Sequence, residues 1–151
     1  MNSDPNARPQ IILVNRCFVL DDENKILLIK RVSNDSHHPS LWECPGGKLD
    51  QGQDIMRARE REVMEETGLL VNLIHPLVYA DSYIVGDGKY AGMPYIGLFG
   101  IARSLGGKLT LSSEHSDFVW VTHDEALSYE VTPEVRKAMI ILKDHLTREK
   151  L

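Results

Sequence analysis

The stretch Gly46–Leu69, GGKLDQGQDIMRAREREVMEETGL, constrains this chain more than any other. Paired glycines and a run of turn-forming residues lead into a helical pattern that stops at Gly68, the residue type that leaves a helix through the left-handed conformation at least cost. Along that predicted helix, 54–67, Glu62, Glu65 and Glu66 fall within an arc of roughly 100°. Pro45-Gly46-Gly47 predicts a backbone conformation open mainly to glycine, where the chain can also approach a ligand closely.

Carboxylates three and four residues apart repel one another unless a cation sits among them. An all-oxygen cluster suits a hard divalent ion, Mg²⁺ first and Mn²⁺ second, which keeps several waters and shares its shell with phosphate oxygens. The cluster therefore implies a phosphorylated substrate. The competing reading is a solvated, salt-bridged helix face, since Arg57, Arg59 and Arg61 lie on the same helix and Arg61 can pair with Glu65.

The spacing decides between them. Gly47, Arg61, Glu62, Val63, Glu65, Glu66, Gly68 and Leu69 stand in the register of the Nudix signature, and the chain resembles that family, its MutT-like branch in particular through Trp-Glu-x-Pro-Gly-Gly-Lys. One position departs, with Gln53 where the family carries its first glutamate. The resemblance implies an α/β chain with the Nudix fold, an α/β/α sandwich around a mixed sheet. It implies a hydrolase that cuts a phosphoanhydride of a nucleoside triphosphate to the monophosphate and pyrophosphate. Hydrolysis of ADP-ribose or another nucleotide sugar or dinucleotide is the alternative reaction. A non-catalytic nucleotide-sensing module is the alternative class, because fold by itself does not determine function.

The resemblance also assigns residues. Glu62, Glu65, Glu66 and the backbone carbonyl of Gly46 are the implied metal ligands. Glu62 is the first choice for general base and Glu114, on a late acidic loop, the second, with Asp117 behind it. Arg61 belongs to the catalytic set, and Arg31, Trp42 and Gly47 are candidates for contact with substrate. Val131-Thr132 stands where members that read oxidised purines often carry an asparagine, which argues against that specificity.

Length and charge bound the remainder. At 151 residues the chain suits one core, and we expect a loose tail over residues 1–9 and one domain over 10–151. A net charge of −5 argues against nucleic acid or an anionic membrane as partner, since both reward excess Lys and Arg. The expected partner is a small nucleotide, with homodimerisation open. Cys17 and Cys44 have no metal-ligand spacing and are expected to be buried small residues, while the absence of a long apolar run makes a cytoplasmic location the default.

The strand-like runs IILVNRCFVL and KILLIKR, joined by Asp21–Asn24, predict a hairpin, and LLVNLIHPLVYADSYIV with MPYIGLFGIARSL predicts a longer one with Lys89 and Tyr90 at its tip. A short strand KLTL and a strand FVWVT should follow. Thr122 caps a short helix over 123–129, and Thr132-Pro133 opens a last helix with Val135, Ala138, Met139, Leu142 and Leu146 on one stripe. His37 and His38 read as solvated, and Tyr83, Tyr90 and Tyr95 as packing residues before base-stacking ones. With Gln53 keeping hydrogen bonds and losing one charge, Gln53→Glu should change the divalent-metal concentration needed for activity more than the ranking of substrates. Metal titrations across a nucleotide panel check this, and a larger change in substrate ranking contradicts it.

Overall fold

The computed structural model describes residues 10–148, so the expected tail over 1–9 lies outside the described residues. The elements are β1 (Ile12–Leu20), β2 (Ile26–Arg31), β3 (Trp42–Glu43), β4 (Gly46–Lys48), α1 (Ile55–Thr67), β5 (Leu70–Ile84), β6 (Pro94–Gly106), β7 (His115–Val121), α2 (His123–Ala126) and α3 (Pro133–Arg148). One seven-stranded sheet runs β3-β2-β1-β6-β5, with β4 paired to β1 and β7 paired to β2. β1 and β6 pair in parallel while the other pairs are antiparallel, which is the mixed sheet expected.

β1 reads as a nearly continuous apolar run because both its faces are covered. Phe18 and Leu20 pack with Val135, Ala138, Met139 and Leu142 of α3. Cys17 and Val19 pack on the opposite face with Val63 of α1 and with Leu69. The two helices thus lie on opposite faces of the sheet, the sandwich the resemblance implied. Both cysteines are free and buried, as expected.

α1 starts where the sequence predicts, because the Asp54 carboxylate accepts the backbone N–H groups of Met56 and Arg57 at 2.9 and 3.1 Å. It stops at Gly68, whose φ of 75° and N–H to Met64 carbonyl contact form the left-handed cap. A side chain there would also come within 2.7 Å of the Lys108 carbonyl.

Four expectations are corrected. Gly46 and Gly47 do not form a glycine-only turn: neither has a positive φ, and both lie in β4 against Arg16 and Asn15. At Gly46 the lack of a side chain is required by contact instead, since a Cβ there would come within 2.8 Å of Arg16 Cα, and at Gly47 it leaves room for the Glu62 carboxylate. The turn itself falls at 51–52, where Gly52 has φ 84°. KLTL forms no strand, because its Thr110 N–H and the N–H of Ser112 just after it find the free carbonyls at the end of α1, Thr67 O at 2.9 Å and Glu66 O at 3.2 Å. β7 begins at His115, ahead of the expected FVWVT, because Asp117 and His115 still pair with Lys30 and Arg31. α2 spans only His123–Ala126 beneath its Thr122 cap, shorter than the 123–129 expected.

Arg59 is no part of a solvated face. Its guanidinium is buried against β6 and donates to the Pro76 carbonyl, where β5 bulges between His75 and Tyr79. The space it fills exists because residue 100 is glycine: a Cβ there would meet Arg59 Nη1 and come within 2.7 Å of the His75 carbonyl. Gly100→Ala should therefore destabilise the fold by about 1–3 kcal/mol, measured as a lowered midpoint in chemical or thermal unfolding.

Candidate functional site

β4, α1 and the loop before β7 meet at one cleft. Its walls are Gly46 and Gly47 from β4, Glu62, Glu65 and Glu66 from α1, and Ser112–Glu114 from the loop. The three helix acids share a face, as their spacing required, and the hydrogen bonds from Thr110 and Ser112 to the end of α1 bring the Glu114 loop across from them. Glu114 is anchored through its backbone, its carbonyl accepting Val32 N–H at 3.1 Å and its own N–H reaching Ser112 Oγ at 3.4 Å.

The acids differ in environment. Glu65 is exposed and pairs with Arg61 Nε at 3.6 Å. Glu62 is only 8% exposed, its Oε2 is buried without a hydrogen-bond partner, and its Oε1 lies 4.0 Å from Arg61 Nη2. Burial pushes its carboxyl up to about 7, with Arg61 and Arg16 opposing and Glu65 and Asp50 adding to the rise. Glu66 accepts the Gly46 N–H at 3.0 Å, yet burial, with Glu43 and Glu62 nearby, pushes it up to about 8. Gly47 leaves room beside Glu62, since a Cβ there would stand 3.1 Å from Glu62 Oε1.

Two carboxyls held out of water with too little positive charge around them are a receptive place for a cation. The donors are all oxygen, which fits a hard divalent ion completing its shell with water or phosphate. Among the described residues no group of three or more His, Cys, Asp or Glu side chains gathers closely enough to hold a metal ion by itself, so backbone oxygens, water or phosphate would have to complete a shell here.

Other expected site residues stand elsewhere. Arg31 is engaged by its own loop, Nε donating to His37 carbonyl at 2.7 Å, Nη2 to Asp35 at 2.8 Å and Nη1 to Glu43 at 2.9 Å. Trp42 meets Tyr129 edge-on at 5.3 Å and links β3 to the segment before α3, its carbonyl accepting Thr132 N–H at 3.0 Å. Neither lines the cleft. Gln53 Oε1 accepts Asp50 N–H at 2.8 Å and closes the turn ahead of α1. His37 and His38 are exposed, as expected. Tyr83 stacks on Tyr95 at 4.5 Å, and Tyr90 lies under Lys48, so these rings find partners within the chain.

Sequence reasoning missed a buried polar group on the α3 side. Arg16 Nη1 lies 3.1 Å from Glu43 Oε1 and its Nε 3.7 Å from Glu134 Oε2, which also accepts the Tyr95 hydroxyl at 2.6 Å. Glu43 is 3% exposed and its other oxygen meets Arg31 Nη1 and His115 Nε2. Burial would raise the Glu43 carboxyl, but Arg16, the His115 hydrogen bond and Arg31 outweigh it and hold it below its ordinary range. The available signal was Arg16 itself, a charge in the middle of an apolar strand, which demands a buried partner.

Comparison with known proteins agrees with this geometry. The NUDIX domain family model matches residues 13–140. The chain is 26% identical over 128 residues to the nucleoside triphosphatase NudI of Escherichia coli O139:H28, covering 82% of this chain and 91% of that one. Among solved structures, the MutT protein of Methanosarcina mazei Go1 superposes with a TM-score of 0.76 at 19% identity, over 95% of this chain and 100% of that one. The MutT NUDIX hydrolase of Burkholderia pseudomallei superposes with a TM-score of 0.73 at 25% identity, over 88% and 98%. With a family match spanning most of its length and the signature residues Gly47, Glu62, Glu65 and Glu66 lining one cleft, the chain belongs to the Nudix family as a MutT-like hydrolase.

Proposed function

We propose that this chain hydrolyses nucleoside triphosphates to the monophosphate and pyrophosphate with Mg²⁺ bound at the cleft. The observation that carries the reading is the pair of under-compensated carboxyls, buried Glu62 and half-buried Glu66, beside glycines that leave the cleft floor open. The triphosphatase relative supports the choice of substrate.

Glu62, Glu65, Glu66 and the Gly46 carbonyl would hold the ion. When bound, the ion neutralises phosphate charge and lowers the pKa of a coordinated water. Glu62 takes the water's proton in this reading, since it lines the cleft with Oε2 receiving no hydrogen bond from the protein. Arg61 steadies Glu65 through the pair at 3.6 Å. Gly47 leaves space for a phosphate next to Glu62, and Glu114 closes the opposite wall. Arg31 and Trp42 contribute by holding the 33–41 loop and the approach to α3.

Two outcomes check the reading. With Mg²⁺, the protein should release pyrophosphate from a nucleoside triphosphate panel, EDTA should abolish release, and Glu62→Gln should lower kcat by about 10²–10⁴-fold. Production of two monophosphate halves from linked nucleotides, with triphosphates untouched, would instead assign the dinucleotide class.

The second outcome concerns stability. In the metal-free fold Glu62 and Glu66 keep a proton up to about 7 and about 8, whereas the ordinary value is 4.5. The folded state then binds more protons than the unfolded one within that window, so these two groups make stability fall as pH rises from near 4.5 through 8. Melting temperatures measured in EDTA should show that loss, Glu66→Gln should flatten it, and Mg²⁺ should relieve it at pH 8. A parent protein and a Glu66→Gln variant with parallel pH profiles would contradict it.

A further inference from the structure

We propose that Glu43 and His115 are positioning residues for Glu114: a buried carboxylate–imidazole clamp fixes the residue next to Glu114 and so sets that acid across the cleft from the α1 carboxylates. The inference rests on the reading of Glu114 as the acid of the opposite wall. It assigns a task to a buried group that the signature does not contain.

His115 is the first residue of β7 and directly follows Glu114. Its side chain is 2% exposed, and Nε2 lies 2.8 Å from Glu43 Oε2. A carboxylate only accepts, so Nε2 carries the hydrogen and the ring orientation is defined from one side. Glu43 is itself immobilised, with Arg16 of β1 at 3.1 Å on one oxygen and Arg31 of β2 at 2.9 Å on the other. One carboxylate of β3 therefore ties β1, β2 and β7 to its own strand at the point where the Glu114 loop enters the sheet.

The backbone explains why such a tie is needed. Regular β2–β7 pairing runs from Ile26↔Val121 to Lys30↔Asp117 and then slips, with Arg31 opposite His115 and Ser116 left over. A bulge at the rim of a sheet re-aims the segment on its far side and weakens the ladder there. Past this bulge Glu114 keeps one cross-strand bond, Val32 N–H to its carbonyl at 3.1 Å. The His115 side chain adds a tie into the sheet to that bond and to the backbone contacts with Ser112, and without it only those local bonds hold Glu114 beyond the bulge.

The test separates positioning from general stability. Hydrogen exchange on the metal-free protein should show Val32 and residues 113–115 exchanging faster in His115→Leu, with the Ile26–Ile29 and Phe118–Val121 amides unchanged. His115→Gln, which keeps an N–H donor for Glu43, should restore protection. In triphosphate hydrolysis His115→Leu should lower kcat by about tenfold or more, as displaced catalytic groups do, with KM little changed, and His115→Gln should recover most of the loss. In a Glu114→Gln background His115→Leu should cost nothing further. Faster exchange along the whole β2–β7 ladder, or kcat losses that multiply in the double variant, overturns the proposal. A parent protein that hydrolyses no triphosphate yet shows the local exchange pattern overturns the triphosphatase reading and leaves the clamp standing.

Discussion

The fold depends on one strand being dry on both faces. β1 lies between α3 and α1, and its edges are taken by β6 on one side and by β2 and then β4 on the other. A strand so enclosed must find partners for the polar side chains it carries. Asn15 Nδ2 donates to the Ile55 carbonyl at 2.9 Å, which ties β1 to the first turn of α1. Arg16, pointing to the other face, forms ion pairs with Glu43 at 3.1 Å and Glu134 at 3.7 Å. Two adjacent polar residues of a single strand thus fix the start of the acidic helix on one side and the loop-bearing strands on the other.

The cleft inherits its character from that enclosure. β4 must lie flat on β1, which admits no side chain at Gly46, and its N–H then faces the Glu66 carboxylate. Glu62 and Glu66 are drawn inward by the same helix face that buries Ala58 and Val63 against the sheet, so they lose water without gaining a full complement of cations. The result is local instability placed where chemistry is to occur. Positive charge relieves it only in part: Arg61 and Arg16 oppose the rise at Glu62, but Arg61 also pairs with the exposed Glu65 and Arg16 with Glu43, while Arg59 is spent on the Pro76 carbonyl and Arg31 on its loop.

Much of the fold was legible in the string because local rules and global packing agree. The ends of α1 to within a residue, the caps at Gly68 and Thr122, the apolar stripe of α3 and the two hairpins all stand where short-range chemistry puts them. The misreadings share a cause. KLTL has strand-like residues but meets helix carbonyls, and Pro-Gly-Gly looks like a turn but meets a neighbouring strand. In each case a partner distant in sequence decided the backbone. The same holds for the site: the register of Glu62, Glu65 and Glu66 was readable as a face, whereas the Glu43–His115–Arg16 group joins residues whose proximity no spacing reveals.

By itself, then, the sequence determined the family, the acidic helix and its ends, and the placement of three carboxylates on one face, since helical geometry converts spacing directly into direction. Only the tertiary structure decided which of those carboxylates lose their water, that Gly46 and Gly47 serve by contact and not by φ, and that Arg31 and Trp42 stand apart from the cleft. Desolvation and close approach are properties of surfaces brought together from far along the chain, and they come into being when the sheet closes around β1.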